Sequence, residues 1–294
     1  MTDTRDDSED ISVADTLNWN EEWERRYIRH LITVSSKNCG EYWKNPRNVQ
    51  RVIKRGTFPA RQASHQLKQI EIPESATVLD IGSGTGTLAI PLAKRGCSVT
   101  AVEPSKAMID SMLRCQTKLK SPHIRTVNKS WEDVTPDELE TYDVVIASYS
   151  LTMKDIADAV RKMDLVSRGS VYLFWYLTPP AWAQIMQNLW PKVYGSPYYF
   201  KPTAEVLFQV LLQHKIYPNM EVEIGSHSPV YSSLGEAADD FCARMNCKDD
   251  RARRIITNYL RQHMKWDEKG WELRGDSWNA RIWWKKGQTP VPRN

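Results

Sequence analysis

The chain has 294 residues, 41% of them hydrophobic and 26% charged, and a formal net charge of +4. Such a chain can bury the core of one large domain and is not disordered throughout. No secretory leader opens it and no apolar run approaches the roughly 20 residues of a membrane span, so a soluble, cytoplasmic protein without a membrane span is expected.

The charge is unevenly spread. Residues 1–22 hold Asp3, Asp6, Asp7, Glu9, Asp10, Asp15, Glu21 and Glu22 against Arg5. Residues 1–15 therefore read as a disordered acidic tail. Residues 44–70 hold Lys44, Arg47, Arg51, Lys54, Arg55, Arg61 and Lys68 with no acid. Such a block suits a polyanion, or is an ordinary solvated face. The five cysteines, at 39, 97, 115, 242 and 247, show no zinc or disulfide framework.

Helical character begins near Asn18, with Trp19, Trp23, Tyr27 and Leu31 along one face. Short helices are expected at 48–54 and 62–70. A strand at 77–81 leads through glycines to a helix at 88–94, then a strand at 98–102. A helix follows Ser105 to about 119, with strands at 124–127 and 143–147, a helix at 156–166 and a strand at 170–176. This alternation predicts βαβ units and a parallel sheet. The pattern then loosens. One helix is expected at 202–212, a strand at 220–224, helices at 233–245 and 249–264, and a last strand at 280–284.

The turn after the first strand reads Asp80-Ile81-Gly82-Ser83-Gly84-Thr85-Gly86. A dinucleotide fingerprint places its third glycine one residue later, where Thr87 stands. Asp80 is badly placed beside a pyrophosphate and well placed for an amine, while Glu103 at the end of the next strand suits two ribose hydroxyls. A ligand with a ribose, an amine and no phosphate fits better than NAD.

This motif resembles the first motif of class I S-adenosylmethionine (SAM)-dependent methyltransferases, and the resemblance runs over about 77–176. It implies an α/β three-layer sandwich with a mostly parallel seven-stranded sheet, helical insertions and an N-terminal helical cover. The domain would span 16–294: a cover at 16–72, a SAM-binding core at 73–176, and insertions at 177–214 and 226–265. Carried over by residue, Gly82, Ser83, Gly84 and Gly86 wrap the methionine end of SAM and Asp80 reaches its amino group. Glu103 takes the ribose, Pro104 lies near the adenine plane, and Ser130 and Trp131 meet adenine, Trp131 either by covering it with its ring or through its backbone N–H. Ser130 stands where the family often has an aspartate. Ser148 and Tyr149 end the fourth strand, where cofactor and acceptor meet.

The acceptor class is read from what surrounds this core. The fourth strand ends in Ser148-Tyr149-Ser150-Leu151, without an Asn-Pro-Pro-Tyr-type motif. The 29 residues from Tyr172 to Phe200 hold ten aromatics, which suit a flat or apolar molecule, or a small insertion packing on itself. A small-molecule acceptor is expected, lined by Trp19, Trp23, Tyr27, Tyr149, Trp175, Tyr176 and Tyr231. An RNA or protein methyltransferase using the 44–68 block, and a non-enzymatic SAM-fold interaction protein, are the alternatives. Nucleic acid is not favoured. A homodimer through the second insertion is an open outcome. In-line transfer to a protonated nucleophile calls for a base, with Tyr149, Tyr176, His227 and Tyr231 as candidates. No metal is expected: the histidines lack ligand spacing, Asp143 begins the fourth strand at the wrong edge, and Asp155 lacks a partner.

Overall fold

The computed structural model describes residues 17–34, 46, 49–50, 58–118, 124–226, 230–268, 270–273 and 275–287. The acidic tail, His227 and the basic residues Lys44, Arg47, Arg51, Lys54 and Arg55 lie outside them.

Five strands alternate with helices through the first half. They are β1 (Thr77–Ile81), β2 (Ser98–Val102), β3 (Arg125–Val127), β4 (Tyr142–Ser148) and β5 (Ser167–Tyr176). After β1 comes α3 (Ala89–Lys94), after β2 α4 (Lys106–Lys118), and after β4 α5 (Ile156–Val166). Before them come α1 (Trp19–Thr33) and α2 (Phe58–Lys68). The chain returns to the sheet with β6 (Asn219–Ser226) and β10 (Asp276–Lys285). The sheet order is β3-β2-β1-β4-β5-β10-β6. β10 runs antiparallel to both its neighbours, and every other pairing is parallel.

Period-two alternation places each strand residue on one of two faces. Val78, Val144, Ile146, Tyr172 and Phe174 face α2, α3 and α4. Leu79, Val145, Ala147, Leu173 and Trp175 face α1, α5 and α7 (Ala204–Gln213). The three layers expected from the sequence are present.

A third apolar cluster stands apart. It joins α6 (Ala181–Tyr194), α8 (Leu234–Met245) and α9 (Asp250–His263) to a small antiparallel sheet. That sheet is β7 (Val230–Tyr231), β9 (Gly270–Glu272) and β8 (Lys265–Asp267), in that order. The region 177–214 is thus divided: α6 belongs with the helices of the second insertion, and α7 covers the main sheet. Pro180 and Pro191 hid α6 from periodicity, because a proline inside a helix normally ends it.

α1 is docked rather than loosely laid over the fold. Asn18 caps its start, accepting from the N–H groups of Asn20 and Glu21. The Trp23 indole is fully buried, packs against Trp175 and donates to the Met153 carbonyl at 2.9 Å. Asn20 donates to Asp155 at 3.1 Å and accepts from the Ala157 N–H at 2.9 Å. Through Met153 and Asp155, α1 holds the segment that follows β4.

Candidate functional site

β1 ends at Ile81, and the glycine turn hooks onto the end of β2. The N–H groups of Gly82 and Ser83 both donate to the Val102 carbonyl, at 2.8 and 3.1 Å. Gly82 is left-handed (φ 70°), and a Cβ there would lie 2.3 Å from that of Ser150. That close approach lets the Ser150 hydroxyl donate to the Ile81 carbonyl at 2.6 Å, tying the end of β4 to the turn. Gly84 is also left-handed (φ 56°) but faces open space. Backbone conformation alone demands glycine there, and the turn presents its bare backbone outward.

Asp80 lies beneath this turn, 2% exposed. Its Oδ2 and the Ser83 hydroxyl oxygen are buried without a hydrogen-bond partner among the described residues. Burial pushes the Asp80 carboxyl up to about 7; the Ala89 N–H works against the rise and Glu103 adds to it. Glu103, at the end of β2, accepts the Gly84 N–H at 3.0 Å on one oxygen and the Ser105 N–H at 2.8 Å on the other. Burial raises its pKa too, and these two bonds oppose the rise. Each carboxylate oxygen has two lone pairs, so Glu103 is held in place with acceptor capacity to spare. Asn128 donates to the carbonyls of Glu103 and Pro104 at 2.9 and 3.0 Å and fixes the loop beyond β2.

Two buried carboxylates, an unpartnered carboxylate oxygen and an unpartnered hydroxyl beside an open glycine backbone suit a ligand that brings a cation and hydroxyl donors. The ammonium and ribose of SAM supply both, so the residues present fit that ligand.

The adenine-side expectations need correction. Trp131 is a core residue, 3% exposed, with its indole donating to the Ala159 carbonyl at 3.1 Å. Its ring cannot cover a ligand. Lys162 donates to the carbonyls of Trp131, Glu132 and Val134 and pins this loop. The Ser130 hydroxyl donates to Asp133 at 2.5 Å, while the neighbouring Glu132 carboxylate accepts the Lys154 N–H at 3.2 Å. The Ser-x-x-Asp spacing of a capped turn was the sequence signal for the pair of Ser130 and Asp133. Ser148 is held by Gln66 of α2 at 2.9 Å, a partner 82 residues away that no local pattern reveals.

At the C-terminal ends of β4 and β5 the rings line up. Tyr149 is left-handed (φ 54°), a strained state for a side chain of its size, and its N–H donates to the Phe174 carbonyl at 2.9 Å. Its ring meets Tyr176 with centroids 4.8 Å apart. Tyr176 meets Phe200 at 5.6 Å, and Phe200 meets Trp182 at 6.0 Å, both edge-on. Arg244 of α8 stacks over Trp182 at 4.9 Å and is held by Asp240 at 2.9 Å.

The other expected acceptor residues divide. Trp19 is half-buried against the core. Trp23, Tyr27 and Trp175 are buried, and the Trp175 indole donates to the Pro202 carbonyl at 2.8 Å. Trp23 and Trp175 are therefore supports beneath the site rather than its lining. Tyr231 lies in the third cluster, donating to Asp240 at 2.8 Å, so its hydroxyl is no base. Burial pushes the Tyr176 phenol up to about 12, with Arg244 opposing the rise. At neutral pH it stays protonated, and the base role expected for it does not fit. Asp143 sits at the opposite end of β4, held well below the usual carboxylate range by Arg168 and the Thr77 N–H. Asp155 caps α5, accepting from the Asp158 N–H at 2.9 Å. Among the described residues no three metal-ligating side chains gather, and no helix is long and apolar enough to cross a membrane.

The profile of a family described as "Methyltransferase domain" matches residues 78–169, the segment that carries the glycine turn, Glu103 and the end of β4. An uncharacterized protein of Haemophilus influenzae is 31% identical over 147 residues, 50% of this chain and 54% of that protein. The EEF1A lysine methyltransferase 2 of Danio rerio is 30% identical over 143 residues, 47% of this chain and 55% of its own length. The chain thus spans about half the length of the curated relatives it matches. Among solved structures, the plantazolicin methyltransferase BpumL, in complex with a monoazolic desmethylPZN analogue and SAH, superposes with a TM-score of 0.52. It is 14% identical, and the match covers 92% of this chain and 99% of BpumL, a likeness of fold.

Proposed function

We propose that this chain, which has the class I SAM-dependent methyltransferase fold and carries a methyltransferase domain at 78–169, methylates a small-molecule acceptor and leaves S-adenosylhomocysteine (SAH). The observation that carries the acceptor class is the wall of rings from Tyr149 through Tyr176 and Phe200 to Trp182, joined to the glycine turn by Ser150. Such a wall binds a flat or apolar molecule by its faces and edges and keeps water from it.

Bound at the turn, SAM supplies a methyl group activated on a sulfonium, which an acceptor takes by in-line displacement. The chain's own part is to bind, orient and exclude water. Asp80 and Ser83 would hold the ammonium, Glu103 the ribose hydroxyls, and the open backbone at Gly84 the methionine chain. Pro104, the backbone at Trp131, and Ser130 with Asp133 would bound the adenine. Tyr149, with Ser148 beside it, is the acceptor-facing end of β4. Tyr176 serves as wall and hydrogen-bond donor. Tyr149 and His227 remain the candidates for receiving an acceptor's proton.

A protein acceptor is the second reading, favoured by the likeness to EEF1A lysine methyltransferase 2. That likeness covers under half of this chain, and the ring wall argues for the small molecule. The test is incubation with methyl-labelled SAM and three separate pools: a low-molecular-weight extract, total protein and total RNA. Label in the low-molecular-weight pool is the expected result. Label confined to protein would transfer the assignment to the second reading. Label confined to RNA, or in no pool, would overturn both.

A further inference from the structure

The third apolar cluster contains a helix terminus whose chemistry methyl transfer does not use. α8 ends at Met245, and Asn246 turns left-handed (φ 52°). The Asn246 N–H donates to the Ala243 carbonyl at 3.3 Å and the Cys247 N–H to the Cys242 carbonyl at 3.0 Å. These two bonds are the Schellman closure, which brings the residue after the left-handed one against the helix residue five positions earlier. In most helices that contact is apolar. Here both positions are cysteine.

The Cys247 thiol donates to the Cys242 carbonyl oxygen at 3.7 Å, which places the two cysteines side by side at the helix end. Both are half-buried free thiols. The other described cysteines are elsewhere: Cys97 is buried before β2 and Cys115 is exposed on α4. A disulfide needs Cα atoms about 4.4–6.8 Å apart, and the direct N–H···O bond between these two residues keeps their backbones in contact. The Cys247 thiol proton is held on the Cys242 carbonyl, and burial pushes its pKa up, so Cys247 keeps its proton and the first step falls to the Cys242 sulfur.

We propose that Cys242 and Cys247 form a reversible thiol–disulfide couple, closed by a hydroperoxide and reopened by a thiol reductant. The Cys242 sulfur attacks the peroxide O–O bond and becomes a sulfenic acid, while the other peroxide oxygen leaves as water. The Cys247 sulfur then bonds to the Cys242 sulfur. The sulfenic hydroxyl leaves with the Cys247 proton as a second water. In sum two thiols lose two electrons and two protons, and hydrogen peroxide becomes two waters.

The bond would lock the turn that carries Arg244 over Trp182 and whose Met245 carbonyl accepts the Tyr194 hydroxyl at 2.5 Å. Oxidation thereby fixes the outer end of the ring wall. The couple itself stands whether or not the chain transfers methyl groups.

The test uses the full folded chain with Cys39→Ser and Cys115→Ser, treated with hydrogen peroxide, then alkylated before unfolding. Trypsin cuts after Arg244, between the two cysteines, so the disulfide joins peptides 216–244 and 245–248. The expected result is that linked pair, its disappearance with dithiothreitol, and slower amide exchange at 242–249. Cys247→Ser should leave a sulfenic acid on Cys242 that a dimedone probe captures, and Cys242→Ser should leave Cys247 unlabelled. Both cysteines still fully alkylated after peroxide, or sulfinic acid on Cys242 beside an untouched Cys247, would overturn the proposal.

Discussion

Asp80→Asn is expected to make the ligand-free protein more stable and its ligand binding weaker. The Asp80 carboxyl is pushed up to about 7 in the folded chain by burial, with Glu103 adding to the rise. In the unfolded chain an aspartate titrates near 3.9. Between these values the folded chain holds a proton that the unfolded chain has released. Stability therefore falls as pH rises through this window, and the fall is complete above about 7. Roughly three pH units at about 1.36 kcal/mol each set an upper bound of about 4 kcal/mol. Asparagine does not ionise, so the variant lacks this slope. The stability difference, variant minus parent, should grow by about 2–3 kcal/mol from about pH 5 to about pH 8. In melting temperature that is about 5–10 °C for a chain of this size. The assay is urea or thermal unfolding of both proteins across that range, with SAH titrated calorimetrically at the upper end. Contributions from groups that do not interact with Asp80 cancel in the difference. A difference that stays flat with pH, or that shrinks as pH rises, would refute the reasoning.

Trp23→Ala should destabilise the ligand-free protein by about 3–5 kcal/mol, because it empties a fully buried site against Trp175 and strips the Met153 carbonyl of its donor. Thermal unfolding without ligand measures it, and a loss under about 1 kcal/mol would mean that α1 is a detachable cover. Glu103→Ala should weaken SAH binding by about 10- to 100-fold, since hydrogen bonds to a charged group contribute about 1.5–3 kcal/mol. Ser130→Ala should change it by less than about threefold, its hydroxyl being turned to Asp133; calorimetry on the pair gives the order. With Tyr176 protonated across the working range, Tyr176→Phe should leave the shape of the rate-against-pH profile unchanged from about pH 6 to about pH 9. A lost basic or acidic limb in that profile would return Tyr176 to the proton-transfer candidates.

The sheet and the glycine turn were legible because both are local. A short, nearly continuous apolar strand, three glycines and an acid at the next strand's end are readable from the local sequence alone. The helices of the second insertion were legible too, since Ser233 and Asp249 cap α8 and α9. The aromatic residues were not, because composition gives the amount of ring surface and not the face it lies on. Trp23, Trp131 and Trp175 carry apolar rings with one donor each, and each donor found a buried carbonyl. A tryptophan lining an open site has the same letters in sequence. The supports of the candidate site were hidden for a different reason. Gln66 on Ser148, Ser150 on Ile81 and Arg244 on Trp182 join residues from distant parts of the chain, and only the assembled fold brings them together. α6 was lost to a rule that Pro191 breaks, since the third cluster packed around the helix outweighs the missing backbone bond.

The central claim is that the turn from Gly82 to Gly86, with Asp80 and Glu103, holds the amine and ribose of SAM. Parallel calorimetric titration of the purified chain with SAH and with NAD tests it most directly. The account predicts saturable one-to-one binding of SAH, lost or sharply weakened in Glu103→Ala, and no heat from NAD. Tight NAD binding with no response to SAH would contradict it.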